Sequence, residues 1–165
     1  MGINVETYIK SLPMCDKYKD KFGRAISKRD MFNIMCDING LGYLCGIDES
    51  NKHYVLPYEE MVNKFGSYIN GAYIANLDGY TSKIYCCYCD TEPIKADTSL
   101  LGIFGCGDIR IEIPANTICR IYIDRNSRAE INIGAESICI CNYTGDGVRW
   151  QGQGQGKIIP RRYGE

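Results

Sequence analysis

From Ser99 to Tyr143 apolar residues fall at every second position in short runs, and the runs return every ten residues. Ile109, Cys119, Ala129 and Cys139 fill one column of this repeat. Ile111, Ile121, Ile131 and Cys141 fill the next, and Ile113, Ile123, Ile133 and Tyr143 the third. Ser99, Leu101 and Ile103 extend the pattern back by one rung. Polar residues such as Arg110, Glu112, Arg120, Tyr122, Asn132 and Asn142 stand between the columns. A period of two predicts strands with one buried and one solvated face. The linkers repeat as well, with Thr117, Ser127 and Ser137 in register and Asn116 and Asn126 beside them.

A short repeat whose columns keep one side-chain type predicts a β-solenoid, in which each rung stacks on the one below around a narrow core. Two or three ten-residue segments would complete a coil. The alternative is an antiparallel β-meander or sandwich, whose tight turns favour Asn-Gly or Asp-Gly pairs. The linkers here read Pro-Ala-Asn-Thr, Asp-Arg-Asn-Ser and Gly-Ala-Glu-Ser, which lack that signature.

The first half has a helical period instead. Ser27-Lys28-Arg29-Asp30 resembles a capping box, and Met31, Ile34, Met35 and Ile38 follow as one apolar stripe that Asn39-Gly40 ends. Pro57-Tyr58-Glu59-Glu60 opens a further helix, which stops at Gly66. Shorter helices are expected over Val5–Leu12 and Met14–Phe22, with a small hairpin from Gly42–Gly46 and His53–Leu56. A helix-turn-helix needs basic and amide side chains facing a groove. Lys28, Arg29 and Asn33 are offset here by Asp30 and Asp37, so a plain helical cap is favoured. Beyond the repeat, Thr144–Gly147 reads as a turn and Val148–Trp150 as a last strand. Gln151–Gly156 is a low-complexity run. The tail, with Ile158-Ile159 and then Pro160-Arg161-Arg162-Tyr163, either caps the open solenoid end or reaches for a neighbour. The expected class is α+β: a helical N-terminal part followed by a short β-solenoid. Residues 1–80 form the helical cap, 81–150 the repeat, and 151–165 the Gln/Gly linker and tail.

Composition narrows the options. The 165 residues carry 19 Lys and Arg against 20 Asp and Glu, a net charge of -1, and 45% are hydrophobic. A supercharged nucleic-acid binder, a disordered tail and a membrane span are excluded on these grounds. Residues 1–80 hold seven Lys and two Arg, residues 81–165 three Lys and seven Arg, with ten acids in each half. The two halves therefore present different surfaces. The ten cysteines fall short of a disulfide scaffold, and the first residues match neither a secretory signal nor a myristoylation site. Reduced, buried thiols in a cytosol are expected.

The chemical constellations are thin. Cys86-Cys87-Tyr88-Cys89 holds one C-x-x-C, but a closed zinc site needs four ligands and no second pair exists; Cys139 and Cys141 continue the packed columns. A cysteine nucleophile would depend on His53, the one histidine. Asp108, Glu112, Asp124, Glu130 and Glu136 could pair for hydrolysis, yet carboxylates are common on a solvated repeat face. Gly102–Gly107 lacks the Lys-Ser/Thr ending of a phosphate loop. No cofactor or metal is expected, and no enzyme. Arg110, Arg120, Tyr122, Arg125, Arg128 and Arg149 form the candidate binding set, since Arg forks hold anions and aromatic faces stack bases. Stacked rungs would bring Arg110 and Arg120 together.

Ile9-Lys10-Ser11-Leu12-Pro13-Met14-Cys15, followed by columns such as Ala129-Glu130-Ile131-Asn132-Ile133, resembles small proteins carried by bacteriophages and mobile elements of gut bacteria. That resemblance supplies no catalytic residues. It implies a phage-encoded accessory or virion protein made in a bacterial host cytoplasm. The expected function is non-enzymatic: protein–protein contacts with another copy of itself or with another phage or host protein, without DNA or membrane. The alternative is a binder that sequesters a small anionic ligand such as a nucleotide signal through the Arg and Tyr set.

Overall fold

A computed structural model of the chain describes residues 16–24, 27–37, 40–42, 71–77, 79–86, 91–152 and 155–163. Helices α1 (Asp16–Arg24) and α2 (Lys28–Met35) precede ten strands. These are β1 (Gly71–Leu77), β2 (Tyr80–Cys86), β3 (Ile94–Lys95), β4 (Leu100–Phe104), β5 (Asp108–Ile113), β6 (Ile118–Ile123), β7 (Arg128–Ile133), β8 (Ile138–Tyr143), β9 (Val148–Gly152) and β10 (Lys157–Arg162). The predicted helices over Val5–Leu12 and from Pro57 to Gly66 lie outside the described residues. So do nearly all of the hairpin at 42–56, with His53, and residues 87–89 of the cysteine cluster.

The repeat is a parallel β-solenoid. One sheet, A, runs β1-β2-β4-β6-β8-β10 and the other, B, runs β3-β5-β7-β9. Every pairing is parallel except β1 with β2. That rules out the antiparallel meander. Ile109 pairs with Ala129 and Cys119 with Cys139, so one coil takes twenty residues, two strands and two corners. Four coils, β2–β3 through β8–β9, are followed by β10 as a half-turn. The three apolar columns therefore alternate between sheets. Ile111 and Ile131 stack within sheet B, Leu101, Ile121 and Cys141 within sheet A, and the two sets meet as a buried core.

Buried polar residues make the corners repeat. Ser137 Oγ accepts the Thr117 amide at 3.0 Å and donates to the Pro114 carbonyl at 2.6 Å. At the opposite corner Ser127 Oγ accepts the Cys106 amide at 3.0 Å. Both serines are buried, so Ser127 and Ser137 of the linker column are internal brackets, one at each corner, rather than solvated loop. Backbone groups left unpaired by the turn find partners there, as burial demands.

Cys36 and Leu41, just after α2, lie against the outer face of sheet A. Ser27 caps α2, its Oγ accepting the Asp30 amide at 3.1 Å, as the capping pattern predicts. Tyr18 donates to Asp37 at 2.6 Å, tying α1 to the turn after α2. The buried thiol of Cys36 lies against Ser82 of β2, and burial pushes it up to about 12. Gly102 makes room for Leu41: a Cβ there would stand 2.7 Å from the leucine's Cδ2. Leu100 and Phe104 share the outward side of β4 with Gly102 and are buried. Residues 71–77, within the stretch expected as helical cap, form β1. The expected tail contributes β10, and Gln151-Gly152 of the expected linker complete β9. Among the described residues no helix is long and apolar enough to cross a membrane.

Candidate functional site: the C-terminal end of the solenoid

Two strands per coil decide where the predicted binding residues fall. Arg110 lies on the outer face of sheet B, opposite Glu130, and donates to the Thr91 carbonyl at 3.2 Å. Arg120 lies on sheet A between Leu100 and Ile140. The expected proximity of Arg110 and Arg120 is therefore corrected: residues ten apart belong to opposite sheets, and only those about twenty apart are neighbours. Tyr122 points outward on sheet A but is only 6% exposed, in register with Gly102 and Asn142. Arg125 is exposed in the corner between β6 and β7. Arg128 is spent on Asp108, Nε 2.7 Å from Oδ1, and Arg149 stands opposite Glu130. The six residues are spread over two faces and a corner.

The outer face of sheet B is a set of cross-strand ladders. Arg110, Glu130 and Arg149 form one line, alternating in sign. Lys95, Glu112, Asn132 and Gln151 form the next. Opposite charges directly across a strand pair stabilise by a few tenths of a kcal/mol to about 1 kcal/mol. Beneath them, facing the core, run Ile94, Ile111, Ile131 and Trp150, and beside these Ile109, Ala129 and Val148. Trp150 ends its column and is 40% exposed, although every residue below it in that column is buried.

Both sheets stop at this end, and their edges differ. Along β10, Lys157 donates its amide to Ser137 and Tyr163 to Tyr143, so odd-numbered residues face β8. Ile158, Pro160 and Arg162 therefore aim their backbone groups outward. Proline has no N–H to offer, which is why it is tolerated at this position and why it blunts the edge. Along β9, the Ala129 amide donates to Gly147, so Arg149 and Gln151 bond to β7. Val148 and Trp150 point their N–H and C=O groups away from the sheet, with no proline among them. Among the described residues no strand pairs with this edge.

The end is also basic. Residues 144–163 hold Arg149, Lys157, Arg161 and Arg162 against Asp146 alone, in a chain of net charge -1. Arg162 is the one of these that pairs with Asp146. Tyr143 meets Trp150 edge-on at 6.4 Å, giving the basic end an aromatic centre.

The core thiols belong to packing. Cys106, Cys119, Cys139 and Cys141 are free and buried; the hydrogen bond with Cys119, added to burial, holds Cys139 far above the ordinary thiol range, and burial pushes Cys141 up to about 12. Thiols so held are poor nucleophiles and poor metal ligands. Among the described residues no group of three or more His, Cys, Asp and Glu side chains is placed to hold a metal. Sequence reasoning included Arg149 but passed over Trp150 and Pro160. The signal for both was the end of the ten-residue columns, where a Trp takes the place of Ile and a proline sits in a strand. Comparison with protein-family models, curated proteins and solved structures finds no match for this chain.

Proposed function

We propose that the chain is a non-enzymatic binding module that engages another protein through the C-terminal end of its solenoid. Its partner would be a protein of the same phage or mobile element, or of the bacterial host. The observation that carries the reading is the β9 edge, which no described strand pairs, beside a 40% exposed Trp150. A parallel sheet edge that is unblunted and aromatic is a template for pairing, and proteins ordinarily protect such edges. The exposed acids on the solenoid favour binding over hydrolysis, since Asp108, Glu112 and Glu130 stand beside Arg128, Lys95 and Arg149 in the ladders. The scatter of the Arg and Tyr set favours a protein partner over a small anion.

The test is site-specific photo-cross-linking of the full chain in cells that make it. A photoreactive residue at Gln151, on β9, should give a discrete adduct, and one at Glu112, two rungs below on the same face, should give none. Equal yields at both positions, or none at either, would contradict the reading. A small-molecule mass retained in the native mass spectrum would support the ligand-sequestering alternative instead.

A further inference from the structure

We infer that the β9 edge takes up an extended segment of another protein in which apolar residues flank a carboxylate, added as the next strand of sheet B. This rests on the proposed function and names the chemistry of the partner. The ladders dictate it. The line Arg110, Glu130, Arg149 alternates in sign, so the residue opposite Arg149 in an added strand is an acid. The columns on either side, Ile109–Ala129–Val148 and Ile111–Ile131–Trp150, face the core, so its flanking residues are apolar. Backbone groups of Val148 and Trp150 supply the main-chain hydrogen bonds, and the alternate side chains supply the specificity, as in other strand-addition complexes. The blunting of β10 by Pro160 directs the segment to sheet B.

Charge also selects between occupants. A second copy brought end to end would face Arg149, Lys157, Arg161 and Arg162 with the same four cations, offset among the described residues of this end by a single Asp146 on each side. An acidic segment meets them with opposite sign and binds faster for it. The chain itself contains a strand of the required pattern in β7, where Ala129-Glu130-Ile131 already stacks against Arg149 from below. A synthetic peptide with the sequence of residues 127–134 is therefore a direct probe of the upper edge of β9.

Trp150 is the only tryptophan, so its emission reports on this edge without a label. Titrating the full chain with that peptide should shift the emission to the blue and saturate. Replacing the peptide's Glu by Lys should weaken binding by about three- to ten-fold. In Arg149→Glu, an exposed position whose folding is checked by circular dichroism, the preference should invert and the Lys peptide bind more tightly. Equal affinity for both peptides in both proteins would overturn the inference, as would the absence of any shift. A blue shift that appears with protein concentration alone would overturn it too, assigning the edge to a second copy. If adducts form at Gln151 but neither peptide binds, the segment chemistry is wrong and the binding module stands. If adducts are also absent, both readings fall.

Discussion

Ser127 donates its hydroxyl to Asp124 over 2.6 Å inside a corner closed to water, and the same carboxylate accepts the Gly105 amide at 3.1 Å. Burial nevertheless outweighs these bonds and raises the Asp124 carboxyl above its ordinary range. The folded chain thus holds this proton more tightly than the unfolded one. The associated stability is complete below the ordinary carboxylate range and is lost as pH rises through the raised value. In Asp124→Asn the amide oxygen keeps the Gly105 and Ser127 bonds without a charge to bury. The stability of Asp124→Asn relative to the parent should therefore increase as pH rises from the acidic range to neutrality. Urea denaturation of both proteins across that range measures it, and a constant difference would show that the corner tolerates the charge freely.

The opposite corner makes a second prediction. Ser137→Ala removes the acceptor for the Thr117 amide and the donor to the Pro114 carbonyl, and should cost about 1–3 kcal/mol. Its neighbour Glu136 has a positive φ of 56°, stacked one coil above Asn116 at 58°. An unbranched side chain in the left-handed region costs about 1–2 kcal/mol, which glycine avoids. Glu136→Gly should therefore be neutral to stabilising, by up to about 1 kcal/mol after the added freedom of the unfolded chain. Denaturant midpoints for the two variants should move in opposite directions, or only the first should move.

The buried cysteines give a third. Cys119, Cys139 and Cys141 should resist alkylation in the folded chain at neutral pH because the core shields them from reagent, Cys119 included although its bond to Cys139 lowers its thiol, and they should react together once denaturant unfolds it. Cys139→Ser should cost about 1–3 kcal/mol, because the hydroxyl is placed in an apolar column. Native-state mass shifts after alkylation, with and without urea, distinguish this from an exposed reactive thiol.

Much of this architecture was legible before the structure. The alternation at Ile109, Ile111 and Ile113 marked strands, and its recurrence at Cys119 and Ala129 marked a stack. The number of strands per coil was not legible, because both sheets turn the same apolar columns inward and a ten-residue repeat reads alike with two or three segments to a coil. That ambiguity is what misplaced Arg110 beside Arg120. Corner residues were visible as a register of Thr117, Ser127 and Ser137, but their burial depends on how one coil sits on the next. The open end was hidden for a related reason: Trp150 reads as one more core residue until it is seen that no described strand of sheet B lies above it. In the helical half, the Ser27 cap was legible since a cap is a local interaction. The docking of Leu41 against Gly102 was not, since it joins residues sixty-one apart.

Amide hydrogen exchange along β9, followed by NMR in the chain alone, tests the open edge most directly. Arg149 and Gln151 should be protected by their bonds to β7, while Val148 and Trp150 exchange freely. Adding a bound strand should then protect Val148 and Trp150 as well. Uniform protection of all four amides in the isolated chain would mean that the edge is already covered, and would contradict a binding role for this end of the solenoid.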